Sequence, residues 1–339
     1  MIITKYEEVK KVYENAGKNG WVIPCICTEN QTTTEAILAA CSEYGKKIGK
    51  RVPISIAATV NYSHRSQAPN YSESRDWKTG LKLFKDDIEA FAGNGGVYDD
   101  VEVLIHLDHV QFDDDEELTK SDLSGYSSIM YDASALPFEK NIEKTKEFVR
   151  RMKGRILIEG ACDEIVDATG DTHNDLTTPE KAKRYIEETG VDMIVANLGT
   201  EHRATGKDLK YHGELAREIK KAIGANIVLH GTSSVTNDQV KGLYADGICK
   251  VNIWTAMERD SSPVLFYEMV KNAEKVAGEK TVEKLIQEGY LTEKCKTDEK
   301  INIGYFTEKY RNTIVFNKMK DMVTDYLELW YTIFNEEGL

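Results

Sequence analysis

Short runs of apolar and β-branched residues recur along the chain at 21–27, 52–59, 101–109, 126–133, 155–161, 191–198, 226–231 and 248–253. Most are followed by a segment of helical period, at 34–49, 77–92, 141–152, 179–189, 214–223 and 237–245. Near-continuous apolar strands alternating with helices predict a parallel sheet covered on its outer face, and eight such units predict an α/β fold of the (β/α)8 TIM-barrel type. Thr178 before Pro179 marks a helix start, and Thr236 or Asn237 could cap the helix after the seventh strand. The acidic stretch 113–123 reads as either a short helix or a solvated loop, and residues 1–17 as a polar amphipathic helix. Beyond Ile253 a further 86 residues carry a mostly helical pattern, clearest at 262–277, 281–288 and 312–334. The last of these has a broad apolar face, including Met319, Met322, Val323, Leu327 and Trp330, suited to covering either the barrel or a second subunit. The predicted organisation is one domain: a barrel with its N-terminal helix at 1–260, and a C-terminal helical extension at 261–339 packed on it.

Composition narrows the partners. A net charge of -13 provides no basic footprint for nucleic acid or an anionic membrane, which leaves a small molecule or a protein. No run of 18 apolar residues and no charged-then-apolar leader occurs, so a cytoplasmic location is expected. The six cysteines are scattered, several inside apolar runs, and read as reduced core thiols; Cys25 and Cys27 share a strand face without a matching second pair, which favours a structural role.

The strand ends are where the chemistry should lie. The third run ends in His106-Leu107-Asp108-His109, and strict alternation would put His109 on the face opposite His106 and Asp108 unless the strand has already broken into a loop. Any one of these could be a core residue bonded to backbone. In a barrel, however, all strand ends face one mouth, and here they also bring Asp132, Ser134, Glu159, His230 and Asn252, with His202 in the loop after strand six. His109, His202 and His230 come from different strands and can converge as three neutral nitrogens around Zn²⁺ with a fourth position open, the pattern of a catalytic site. Glu159 and Asp132 could be oxygen ligands or acceptors that orient the imidazoles.

These residues sit in segments that resemble the class II, zinc-dependent fructose- and tagatose-bisphosphate aldolases. The segments are His-Leu-Asp-His at 106–109, Ser-Ser-Ile-Met-Tyr-Asp-Ala-Ser-Ala-Leu-Pro-Phe-Glu-Lys-Asn-Ile at 127–142, Thr-Pro-Glu-Lys-Ala at 178–182, Thr-Gly-Val-Asp-Met-Ile-Val-Ala-Asn-Leu-Gly-Thr-Glu-His at 189–202, Val-Leu-His-Gly at 228–231 and Lys-Val-Asn-Ile at 250–253. The resemblance implies His109, His202 and His230 as zinc ligands, with Asp132 and Glu159 at an alternative metal location and a monovalent cation as a further cofactor to consider. It implies Asp108 as the residue shuttling the proton of the aldehyde oxygen. It also implies an enolising carboxylate in the loop 160–175, for which Glu164 is the best match and Asp163 and Asp167 compete. The activity implied is reversible retro-aldol cleavage of a phosphorylated ketose to dihydroxyacetone phosphate and an aldehyde through a metal-stabilised enediolate, by a homodimer or homotetramer of carbohydrate metabolism. A non-catalytic sugar-phosphate-binding barrel, or a partner subunit of an aldolase, is the alternative. A barrel metallohydrolase would want His-x-His on strand one, where this chain has Cys25 and Cys27.

Departures from the family pattern cluster around the substrate. Arg203 follows the second histidine in place of Gly, and Gly231 is followed by Thr232, Ser233 and Ser234 in place of Gly-Ser-Gly. Trp254 replaces a small or acidic residue, Cys27 an Asn, and 61–65 (Asn-Tyr-Ser-His-Arg) is unfamiliar. Gly231, Ser233, Asn252 and Thr255 remain as substrate or phosphate contacts by resemblance. Arg203, Lys207 and Arg65 could rebuild a site for a phosphate, sulfonate or carboxylate, or be exposed loop cations.

Overall fold

The computed structural model describes residues 1–62, 65–165 and 176–331. Eight parallel strands close into a barrel in chain order: β1 (Ile23–Cys27), β2 (Pro53–Ala58), β3 (Glu102–Gln111), β4 (Ser128–Asp132), β5 (Leu157–Ala161), β6 (Met193–Val195), β7 (Ile227–Leu229) and β8 (Ile248–Ile253). β1 closes the ring by pairing with β8, Cys25 opposite Asn252. Every apolar run thus becomes a strand, because a strand whose two faces are both covered can be apolar at consecutive positions. β6 and β7 are only three residues each, shorter than their runs, since the chain leaves the ladder early to build the loops that carry His202 and His230.

The helices follow the predicted periods closely, as at Trp77–Ala92 and Pro179–Thr189. Thr178 caps the latter, its side chain accepting from the Lys181 amide at 3.2 Å. The acidic stretch contains one short helix, Glu116–Thr119. The segment 237–245 departs from a single helix: it forms a 3₁₀ turn at Asn237–Val240 and a separate helical turn at Leu243–Asp246, with Gly242 between them. Glycine costs about 1 kcal/mol inside a helix relative to alanine, so this is where the period breaks.

After β8 the helix Thr255–Lys271 carries the chain across residue 260 without interruption. The C-terminal helix Glu308–Trp330 packs its apolar face on the helix Gln31–Ile48, burying Met319, Met322, Val323, Leu327 and Trp330. Trp330 donates its indole N–H to the Val240 carbonyl (2.8 Å), and Tyr331 stacks on Trp21 while donating to the Pro53 carbonyl (2.6 Å). Of the two uses that this face allows, it covers the barrel.

Candidate active site at the C-terminal mouth of the barrel

His109 reaches the mouth by breaking the alternation of its own strand. The register between β3 and β4 shifts between Leu107 and Val110, and His109 adopts φ +46°, a left-handed conformation uncommon for a residue with a side chain. A bulge inside the strand, and not the start of a loop, puts it on the same side as Asp108. There it meets His202 and His230: one ring nitrogen from each lies within 4.8 Å of the others, and all three residues are buried. Asp132 Oδ2 holds His109 Nδ1 at 2.8 Å, leaving Nε2 directed elsewhere. Tyr62 stacks on the same imidazole with ring centroids 4.3 Å apart.

His109 Nε2, His202 Nε2 and both nitrogens of His230 are buried with no hydrogen-bond partner. Leaving such groups unpaired costs about 1–3 kcal/mol each. Burial also pushes His202 and His230 well below the ordinary imidazole value, keeping them neutral and their lone pairs available. Three mutually close imidazoles, each with a buried nitrogen that lacks a partner, fit a divalent metal ion.

The carboxylates expected beside this trio divide. Asp132 is an orienting acceptor for His109, one of its two expected roles. Glu159 does not join the trio: its Oε1 receives the Lys250 ammonium at 2.6 Å, with both side chains fully buried. Lys250 also donates to His106 Nε2 (3.1 Å), so His106 carries its proton on Nδ1 and donates to Ser128 Oγ (2.8 Å). A charged lysine inside the apolar run 248–253 was the signal in the sequence for such a pair, since a buried ammonium needs a counter-ion.

Asp108 is buried beside the trio. Its Oδ1 accepts from Asn252 Nδ2 (2.8 Å), and its Oδ2 accepts from Arg65 Nη2 (2.7 Å) and the Cys27 thiol (3.3 Å). Burial alone would raise its pKa, but His109 and Arg65 are among the neighbours that outweigh burial and hold it well below the usual carboxylate range. Cys27 is pushed well up by burial and stays a thiol donor. Arg65 packs over the Trp254 and Tyr62 rings, 5.2 and 5.7 Å from their centroids, and Trp254 donates its indole N–H to Glu29.

Gly231, Ser233, Asn252 and Thr255 line one small cavity with Arg65 and the two histidines His202 and His230. Gly231 has φ +70°, and a Cβ there would sit 2.8 Å from the Glu201 backbone, so only glycine fits. Ser234, in place of the family glycine, bonds Gly231 O and the Glu201 amide. Arg203 and Lys207 are not among the residues lining this cavity; Lys207 is 3.7 Å from Asp260 and 44% exposed. Of the three cations, Arg65 is the one that lines this cavity. A roomier hollow of about 620 Å³ lies at the opposite end of the barrel, beneath the helix Tyr6–Lys18, and none of the residues described at the mouth lines it.

Among the loop carboxylates, Asp163 is tied by Thr177 Oγ1 (2.6 Å) and Lys181, whereas Glu164 is exposed just after β5. Asp167 lies outside the described residues.

Glu258, in the first turn of the helix after β8, was not foreseen. Burial, and secondarily Glu29, raise it from 4.5 to about 7. The native state then keeps a proton between these values that the unfolded chain releases, so stability falls as pH rises through that window. The melting temperature of wild type is expected to drop, relative to Glu258→Gln, between pH 5 and pH 8; parallel curves would show that the carboxyl ionises normally.

Comparison with known proteins agrees with this geometry. The family described as fructose-bisphosphate aldolase class-II matches residues 7–338. Crystal structures with a similar fold include the YdjI aldolase from Escherichia coli K12 (18% identity, TM-score 0.67, covering 98% of this chain and 99% of that one). Another is the fructose-bisphosphate aldolase of Campylobacter jejuni (19% identity, TM-score 0.71, covering 98% and 96%). With the family match running from the first helix to the C-terminal segment, this chain belongs to the class II fructose-bisphosphate aldolase family.

Proposed function

We propose that the protein is a zinc-dependent aldolase that cleaves a phosphorylated ketose reversibly to dihydroxyacetone phosphate and an aldehyde. The observation carrying this reading is the convergence of three imidazoles, each with a buried ring nitrogen that lacks a hydrogen-bond partner, beside a buried, ionised Asp108. His109, His202 and His230 would hold the zinc. Bound there, the ion supplies Lewis-acid charge to the ketone oxygen and its neighbouring hydroxyl.

In the cleavage direction Asp108 takes the proton of the C4 hydroxyl, the C3–C4 bond breaks, and its electrons remain on C3 as an enediolate. Asn252 and Arg65, each donating to one of its oxygens, favour the ionised form of Asp108 before substrate enters. Glu164, exposed just after β5, would return a proton to C3. Gly231, Ser233 and Thr255 would contact the phosphate through a cradle that includes the N-terminus of the helix Thr255–Lys271, where backbone N–H groups favour an anion.

Removal of the metal by a chelator is expected to abolish release of dihydroxyacetone phosphate from fructose 1,6-bisphosphate, tagatose 1,6-bisphosphate or a singly phosphorylated or sulfonated ketose, and added zinc to restore it. It should also lower the melting temperature, since a ligand that binds only the native state stabilises it. Zinc binding without turnover of any ketose would instead favour a non-catalytic sugar-phosphate-binding barrel.

A further inference from the structure

The departures Cys27, Tyr62 with Arg65, and Trp254 come from three distant parts of the sequence, yet the fold gathers them: Cys27 and Arg65 bond Asp108, and Tyr62 and Trp254 pack on Arg65. We propose that Arg65 is a specificity-determining residue that binds a carboxylate on the aldehyde half of the substrate, within one or two carbons of the reacting carbonyl. This rests on the aldolase reading above.

Three features carry the inference. The guanidinium is 7% exposed and packs over two aromatic rings, which hold its plane in the mouth without competing for its N–H groups. Its side-on edge is half used: Nη2 bonds Asp108, while Nε is buried with no partner. Such an edge matches the two oxygens of a carboxylate. The cavity that Arg65 helps to line leaves about 10 Å³, room for about one water, so an entering substrate must displace side chains around it, and Arg65 is the cation among them. Asp108 has to turn to the oxygen of the reacting aldehyde, which frees Nη2. A carboxylate next to that carbonyl would then take Nε and Nη2 together. The 2.7 Å separation of Arg65 and Asp108 sets the reach: a phosphate at the far end of a triose lies too distant for both contacts, whereas a carboxylate one or two carbons away does not.

The test uses condensation by the zinc-loaded full chain, with dihydroxyacetone phosphate and either tartronate semialdehyde or glyceraldehyde, which differ only by a carboxylate in place of a CH₂OH. Wild type is expected to prefer the carboxylate aldehyde by about 10- to 100-fold in kcat/KM, the usual size of a charge-assisted hydrogen bond. In Arg65→Met the ratio should fall to about one. Arg65→Lys keeps the charge without the planar fork, should give an intermediate ratio, and serves if the methionine variant does not fold. Deuterium exchange into dihydroxyacetone phosphate without any aldehyde separates the two readings. If wild type shows no exchange, the aldolase reading fails and this inference with it. Exchange together with a ratio near one in wild type, or a ratio unchanged in both variants, overturns the role of Arg65 alone.

Discussion

Replacing Asp108 with Asn is expected to lower the rate of carbon–carbon cleavage by about 10³-fold, within the 10²–10⁴ typical of a positioned general acid–base group. Asn has nearly the same shape, but its single amide oxygen can accept from only one side of the Asn252 and Arg65 pair, and it cannot take the C4 hydroxyl proton. Zinc content should be unchanged, because Asp108 is not one of the three imidazoles. Deuterium exchange at the carbon that becomes the nucleophile should survive in large part, since that proton moves through a different group, with Glu164 the candidate. Measuring both rates on one preparation separates the steps. Equal loss of exchange and cleavage would mean that Asp108 acts through the metal site and not on the aldehyde oxygen, and retained cleavage would remove it from the mechanism altogether.

The second large effect is on stability. Lys250 and Glu159 are both fully buried, 2.6 Å apart. Removing one member leaves a carboxylate without a counter-ion in a medium that solvates it poorly, and such changes cost about 3–5 kcal/mol. Lys250→Met is therefore expected to shift the chemical denaturation midpoint strongly. Lys250→Met combined with Glu159→Gln should recover a substantial part of the loss, because both charges are then gone. Additive losses in the double variant would argue that Lys250 contributes packing more than charge. His106 also accepts from Lys250, so the single variant should loosen the floor beneath Asp108 and lower kcat as well.

What the chain encodes locally is the barrel. Runs such as 248–253 and 52–59 are apolar at consecutive positions, and only a strand covered on both faces buries such a pattern, so eight strands and their helices follow from periodicity. The polar ends of those strands follow from the same reading, because a barrel sends all of them to one mouth; His109, His202, His230 and Asp108 were legible for that reason. Where a helix contains a weak point, as at Gly242, the period overstated its length.

Tertiary structure decided the rest. Strict alternation separates His109 from Asp108, and only the β3–β4 pairing reveals the bulge that reunites them, because a bulge is a property of two strands. Glu159 and Lys250 lie 91 residues apart, and whether a carboxylate binds metal or an ammonium depends on which neighbour the fold delivers first. Arg65 looked no different in sequence from Arg203 and Lys207. The structure separates them, burying one guanidinium between two rings against Asp108 while Lys207 lies at the surface, since burial and counter-charge are set by contacts across the barrel mouth that no local pattern records.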